Sequence, residues 1–187
     1  MKDEVLRVVD VLKKGGVILY PTDTVWGIGC DATNGEAVAR VYALKRSADK
    51  RAMTILVGSM DDVGRYVRRV PEVAWQLLEV AEDPLTLILP GGCGVAPGLI
   101  PDEGTVGIRV PRHEFCTALL RRLGRPLVST SANISGEATP LTFDEIAAEI
   151  REGVDMAVAQ KFEGRPTRRP SSIISLGEGG EIKIIRE

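Results

Sequence analysis

A series of short apolar runs constrains this chain most: GVILY, MTILVG, PLTLILP, TVGIRVP, PLVST and SSIIS, none longer than seven residues. Proline, glycine or small polar residues close each run. Length and punctuation of this kind favour buried strands, and they fall far short of the roughly 18 residues that a membrane-spanning helix needs. Between the runs lie segments with helical periodicity. Val5, Val8, Val9 and Leu12 share one face of a helix over 3–14 that stops at Gly15-Gly16. Asn34 is placed to cap a helix carrying Val38, Val41, Tyr42 and Leu44, which leaves Lys45 at its C-terminal end.

Further along, SMDDVGRYV predicts a short helix with Ser59 and Asp62 as a capping box, and a helix starting on Pro71 runs to Ala81. HEFCTALLRRLG predicts another, and Thr142 with Glu145 is placed to cap one in TFDEIAAEI. DMAVA, SSIIS and EIKIIR supply strands at the end. Strands and helices alternate at first and the chain finishes strand-rich, so the expectation is one α/β domain over 1–187 with a mixed sheet. The polar, basic segment from Gln160 to Pro170 is the candidate for a mobile lid.

Composition narrows the function. With 187 residues, 44 % apolar and 27 % charged, the chain is ordinary for a soluble domain, and MKDEVLRVVD lacks the apolar core of a signal peptide, so a cytoplasmic protein is expected. A net charge of −2 argues against a surface given over wholly to nucleic acid. Local basic clusters remain: Lys45, Arg46, Lys50 and Arg51, then Lys161, Arg165, Arg168 and Arg169. Cys30, Cys93 and Cys116 are odd in number and lack C-x-x-C spacing, which suggests buried thiols and no zinc site. The single histidine, His113, sits at a helix start, where capping or exposure outweighs catalysis.

Four stretches could carry chemistry. YPTDTVWGIG, from Tyr20 to Gly29, reads either as a strand-ending turn stiffened by Pro21 or as a ligand loop. STSANISG, from Ser129 to Gly136, sets short donors after a strand, as a plain turn or an anion site would. Arg109 interrupts an apolar strand, so it either points outward or is paired with a carboxylate or phosphate. The fourth is LKRSADKR. Neither common glycine-rich phosphate loop is present, nor is G-x-S-x-G.

Together these motifs resemble the YrdC family of L-threonylcarbamoyladenylate synthases. YPTDTVWGIG matches that family's YPT[DE]T[VA][YW]GLG apart from one isoleucine, TVGIRVP matches T-[VI]-x-[IV]-R-[VI]-P, SANISG matches S-A-N-x-S-G, and SSIIS echoes S-T-I-[VI]-D. The resemblance spans essentially the whole chain. It implies a twisted mixed sheet curled around a basic cavity with helices outside, and condensation of L-threonine, bicarbonate and ATP into threonylcarbamoyl-AMP and pyrophosphate. That product would serve N6-threonylcarbamoyladenosine formation at position 37 of tRNAs, through a downstream threonylcarbamoyl-transfer complex.

Carried over by position, the resemblance implies Thr24, Arg109, Ser129 and Ser171 for L-threonine, and Lys45, Arg51, Thr105, Ser131, Asn133, Thr139 and Arg186 for ATP. Lys45, Ser131 and Asn133 would act closest to the reacting phosphate, with magnesium bridging phosphates and no protein-held metal. Asp23 is open between capping an amide and touching substrate. The C-terminal domain of longer members is absent, so the short stand-alone form is expected.

One departure stands out. Where the family has K-x-R, this chain reads Lys45-Arg46-Ser47, and one helical residue turns a side chain by about 100°. Either Arg46 reaches the phosphates from a frayed helix end, or Arg51 or a lid arginine compensates, or ATP binding is weakened. Two rivals remain: a double-stranded RNA or tRNA binder without adenylate chemistry, and a carbamoyl-transfer domain of the hydrogenase-maturation type. Low aromatic content, 4 %, weakens the first, and the lack of C-x-x-C pairs weakens the second.

Overall fold

The computed structural model describes residues 1–47 and 53–187, so Lys50 and Arg51 lie outside the described residues. Helix α1 (Lys2–Lys13) buries the expected face, Val5, Val8, Val9 and Leu12. A hairpin-like pair follows, β1 (Ile18–Tyr20) antiparallel to β2 (Gly27–Gly29), with the YPTDTVWGIG loop between. Helix α2 (Gly35–Leu44) starts where the Asn34 side chain accepts from the amides of Glu36 and Ala37, and Lys45 is its C-cap. Strand β3 (Thr54–Leu56), α3 (Glu72–Val80), β4 (Leu85–Pro90), β5 (Thr105–Arg109), α4 (Glu114–Leu123) and β6 (Leu127–Ser131) follow in the order the sequence predicts. The chain ends with α5 (Ala148–Gly153), β7 (Met156–Ala157), β8 (Ser172–Leu176) and β9 (Ile182–Arg186).

Two helix starts differ from expectation. Residues Met60–Arg65 form a 3-10 helix, and Ser59 spends its hydroxyl on the Asp62 carboxylate, 3.1 Å away, so no capping box forms. The predicted helix near TFDEIAAEI is split: Phe143–Glu145 is 3-10, Ile146 is extended, and α5 begins only afterwards. Glu145 accepts from the Leu141 amide, and Thr142 caps nothing.

The nine strands among the described residues form one mixed sheet in the order β7-β1-β2-β6-β3-β5-β4-β8-β9. Pairs β1–β7, β3–β5 and β4–β8 are parallel, the others antiparallel. Alternation assigns the two faces. Leu19, Ile28, Ile55, Leu87, Leu89, Val106, Ile108 and Val128 turn to the larger core, shared with α2. On the opposite face Ile18, Tyr20, Leu56 and Leu127 join a second core under α1 and α4. The rest of that second face carries Thr54, Thr86, Arg109, Ser129 and Arg186, with Ile88 and Ile173 among them. No helix among the described residues is long and apolar enough to cross a membrane.

Candidate active site

That polar part of the sheet floors a cavity of about 670 Å3, a size typical of small-molecule sites. Strand register explains how distant residues meet there. Arg109 pairs with Thr86, Thr86 with Ile173, and Ile173 with Arg186, so one row crosses β5, β4, β8 and β9 on a single face. All four line the cavity. The Thr86 and Ser171 hydroxyls are 2.7 Å apart, and Arg186 donates through Nε and Nη2 to the Ser171 carbonyl at 2.9 and 2.7 Å. Burial and the neighbouring Arg109 charge both lower the pKa of Arg186, as crowded cations do.

Arg109 is paired, not outward. It is 5 % exposed, and its Nη2 donates to Asp23 Oδ1, while Nη1 donates to the Thr24 hydroxyl at 3.1 Å. The Asp23 carboxylate is itself buried and its Oδ2 accepts from the Arg112 amide at 2.9 Å, so it caps an amide and balances a guanidinium at once. Thr22 holds the loop shut: its hydroxyl donates to the Val25 carbonyl at 2.8 Å and accepts from the Thr24 amide. Arg109 Nε is buried without a partner. A buried donor left idle is costly.

The other end of the cavity is built by α2 and the loop after β6. Lys45 is 6 % exposed, and its Nζ donates to the Ser131 and Asn133 carbonyls at 2.6 and 2.7 Å. Its own carbonyl accepts from the Ser135 amide, so one residue clamps that loop twice. Burial pushes the ammonium down to about 8. Ser129, Ser131, Asn133 and Thr139 all line the cavity, as do Thr24 and Ser171.

Helix α2 ends unusually. The amide of Ser47 bonds to the Tyr42 carbonyl and that of Arg46 to Ala43, a Schellman pair, with Arg46 at φ 49° in the left-handed position. Glycine normally sits there, and a side chain costs roughly 1–2 kcal/mol. Arg46 and Ser47 both line the cavity. Arg46 Nη2 is 2.7 Å from Glu149 Oε1, and Ser47 hydrogen-bonds Ser135.

Not every expected residue joins this assembly. Thr105 shares the cavity face of β5 but pairs with Pro90, four residues from Arg109 or roughly 13 Å along the strand, and is not among the lining residues. Lys161, Arg165, Arg168 and Arg169 do not line the cavity either. The segment they occupy is stitched to the opening loop, with the amides of Thr167 and Arg168 donating to the carbonyls of Asp23 and Thr24 at 2.9 Å. His113 is a cap, accepting from the Cys116 amide through Nδ1 and bonding the Glu163 carbonyl through Nε2. Cys30 and Cys116 are buried, and burial holds both thiols far from ionisation. Sequence reasoning missed Thr22, Trp26, Thr54 and Thr86 as lining residues. Thr86 gave a signal, since a polar residue interrupts PLTLILP much as Arg109 interrupts its strand.

The family model Sua5/yciO/yrdC, described as telomere recombination, matches residues 10–187. A curated relative from Vibrio cholerae serotype O1, threonylcarbamoyl-AMP synthase, is 33 % identical over 185 residues, covering 97 % of this chain and 95 % of that protein. Among solved structures, E. coli YciO superposes with a TM-score of 0.87 at 28 % identity, covering 100 % of this chain and 90 % of that one. P. abyssi Sua5 complexed with L-threonine gives a TM-score of 0.84 at 26 % identity over 92 % of this chain. This chain spans only 50 % of that longer protein.

Proposed function

Because the chain belongs to the Sua5/YciO/YrdC family, we propose that its cavity makes threonylcarbamoyl-AMP and pyrophosphate from L-threonine, bicarbonate and ATP. One observation carries this reading: Lys45, Arg46, Arg109 and Arg186 line the cavity, while no Asp or Glu does among the described residues. Such a lining suits ligands with several negative charges. The two cationic ends are offset in both directions: β3 lies between β6 and β5, roughly 10 Å across the sheet, and Ser131, which holds Lys45, lies four residues beyond Leu127, the residue in line with Arg109 through Leu56, roughly 13 Å along the strands. An amino acid fits between a carboxylate clamp at one end and a nucleotide phosphate at the other.

In this reading Arg186, given to ATP by the family resemblance, joins Arg109, Thr86 and Ser171 against threonine's carboxylate, because it lies on the Arg109–Thr86 row and donates to the Ser171 carbonyl, with Thr24 and Ser129 beside them. Its amine adds to bicarbonate carbon with loss of water, giving a carbamate. A carbamate oxygen then attacks the α-phosphorus, the new P–O bond forming as the bond to pyrophosphate breaks. The residues' work is to align two anions and to stabilise charge on the departing pyrophosphate through Lys45 and the Ser131 hydroxyl, while the Asn133 amide, which donates to the Ile134 and Glu137 carbonyls, holds the loop in shape. None of these groups has to exchange a proton with substrate. Magnesium would arrive on the nucleotide. The described residues contain no cluster of three or more His, Cys, Asp or Glu, and as hard ligands for the ion the lining, beside its four cations, offers hydroxyl and carbonyl oxygens.

The product would pass to a threonylcarbamoyl-transfer complex acting on tRNA in the cytoplasm. Direct RNA binding, the second use considered for the chain, would fall to Lys161, Arg165, Arg168 and Arg169, which are exposed outside the cavity. The test of the main reading is pyrophosphate release by purified protein given ATP, magnesium, L-threonine and bicarbonate. Release should require threonine and fall sharply with Arg109→Ala at low threonine. Equal release with and without threonine sinks the reading.

A further inference from the structure

The left-handed Arg46 points to a task for its side chain. A Schellman turn selects glycine at this place, yet the chain keeps a long cationic residue there. Backbone strain held at a cavity wall is a mark of function. The same turn removes the objection that one helical residue misdirects the arginine, because Arg46 has already left the helical path and lines the cavity beside Lys45. Its guanidinium rests on Glu149 of α5, both side chains well exposed at 65 % and 48 %. Exposed pairs of this kind are weak and easily traded for a stronger partner.

We propose that Arg46 is a polyphosphate-binding residue of this chain and that Glu149 holds it aside until nucleotide enters. The inference rests on the nucleotide reading above. Arg46 exchanges the Glu149 carboxylate for phosphate oxygens, gaining charge-assisted and bidentate hydrogen bonds. Glu149 is a positioning residue: it touches no ligand and lowers affinity by competing for the guanidinium. Ser47, tied to Ser135, serves the shape of the wall and supplies no charge.

Calorimetric titration of the full chain with magnesium-ATP and with AMP separates the possibilities. Arg46→Gly keeps the left-handed turn, relieves its strain and removes the cation. It should weaken ATP binding about tenfold, the scale of one charge-assisted contact, and leave AMP affinity within about twofold. Glu149→Gln should tighten ATP up to about fivefold, the upper range of an exposed pair, with AMP again unmoved and with no tightening in the Arg46→Gly background. An unchanged ATP affinity in Arg46→Gly, equal losses for ATP and AMP, or tightening by Glu149→Gln without Arg46 would each overturn the proposal. If the unsubstituted chain binds no ATP, the nucleotide reading itself fails and this proposal falls with it.

Discussion

At the scale of single residues, charge is arranged in two different ways. Arg109 is already neutralised by Asp23 in the free protein, so substrate does not meet a bare cation at that end. What remains for a carboxylate at that end is the guanidinium of Arg186, which lines the cavity and donates to the Ser171 carbonyl. Lys45 is the opposite case: no carboxylate pairs with it among the described residues, only two carbonyls, and burial lowers its pKa to about 8. Its positive charge is therefore present at pH 7 and lost as pH rises through 8. Since only the ammonium attracts phosphate, ATP affinity should fall about tenfold between pH 7 and 9, while AMP, with fewer charges, falls less. Lys45→Arg does not titrate in this range, so its profile should be flat. A wild-type profile as flat as that of Lys45→Arg would show that the lysine's proton plays no part.

At the scale of elements, close backbone approach and strand register matter more than propensity. A Cβ on Gly29 would stand 2.4 Å from the Val128 carbonyl oxygen and 2.7 Å from the Tyr20 ring. That ring's hydroxyl donates to the same Val128 carbonyl. Gly29→Ala should therefore cost about 1–3 kcal/mol, as overpacking does, seen as a lower denaturant midpoint with an unchanged slope; an unaltered midpoint would mean that β2 and β6 separate freely. Helix α2, its Asn34 cap and the placement of Lys45 were legible because they depend on residues within one turn of each other. The Arg109–Thr86–Ile173–Arg186 row was not, although Arg109 and Arg186 had been singled out. It follows from which strands neighbour which, and β8 reaches β4 only after the chain has passed through β5, α4, β6, α5 and β7. The partnership of Asp23 with Arg109 was hidden for the same reason, and the split near Ile146 because local capping lost to core packing of that side chain.

At the scale of the whole molecule, one sheet serves two purposes. Its first face is largely apolar, broken by Thr130 and Ser172, and fixes the architecture, which is why the strand pattern alone announced a mixed α/β domain. Its second face is divided: one part is covered by α1 and α4, and the rest is left open and polar. The site residues are scattered from Thr22 to Arg186, yet each lies on that open face or on a loop at its rim. Their types were readable in the motifs; their convergence came only with the topology. In the proposed reaction the open face joins an amino acid to an adenylate through one carbon of bicarbonate. Mass spectrometry of the nucleotide products made with 13C-bicarbonate follows that carbon. Threonylcarbamoyl-AMP should be heavier by one mass unit than the product from ordinary bicarbonate. Threonyl-AMP without the added carbon, or AMP alone at every threonine concentration, would rule the reaction out.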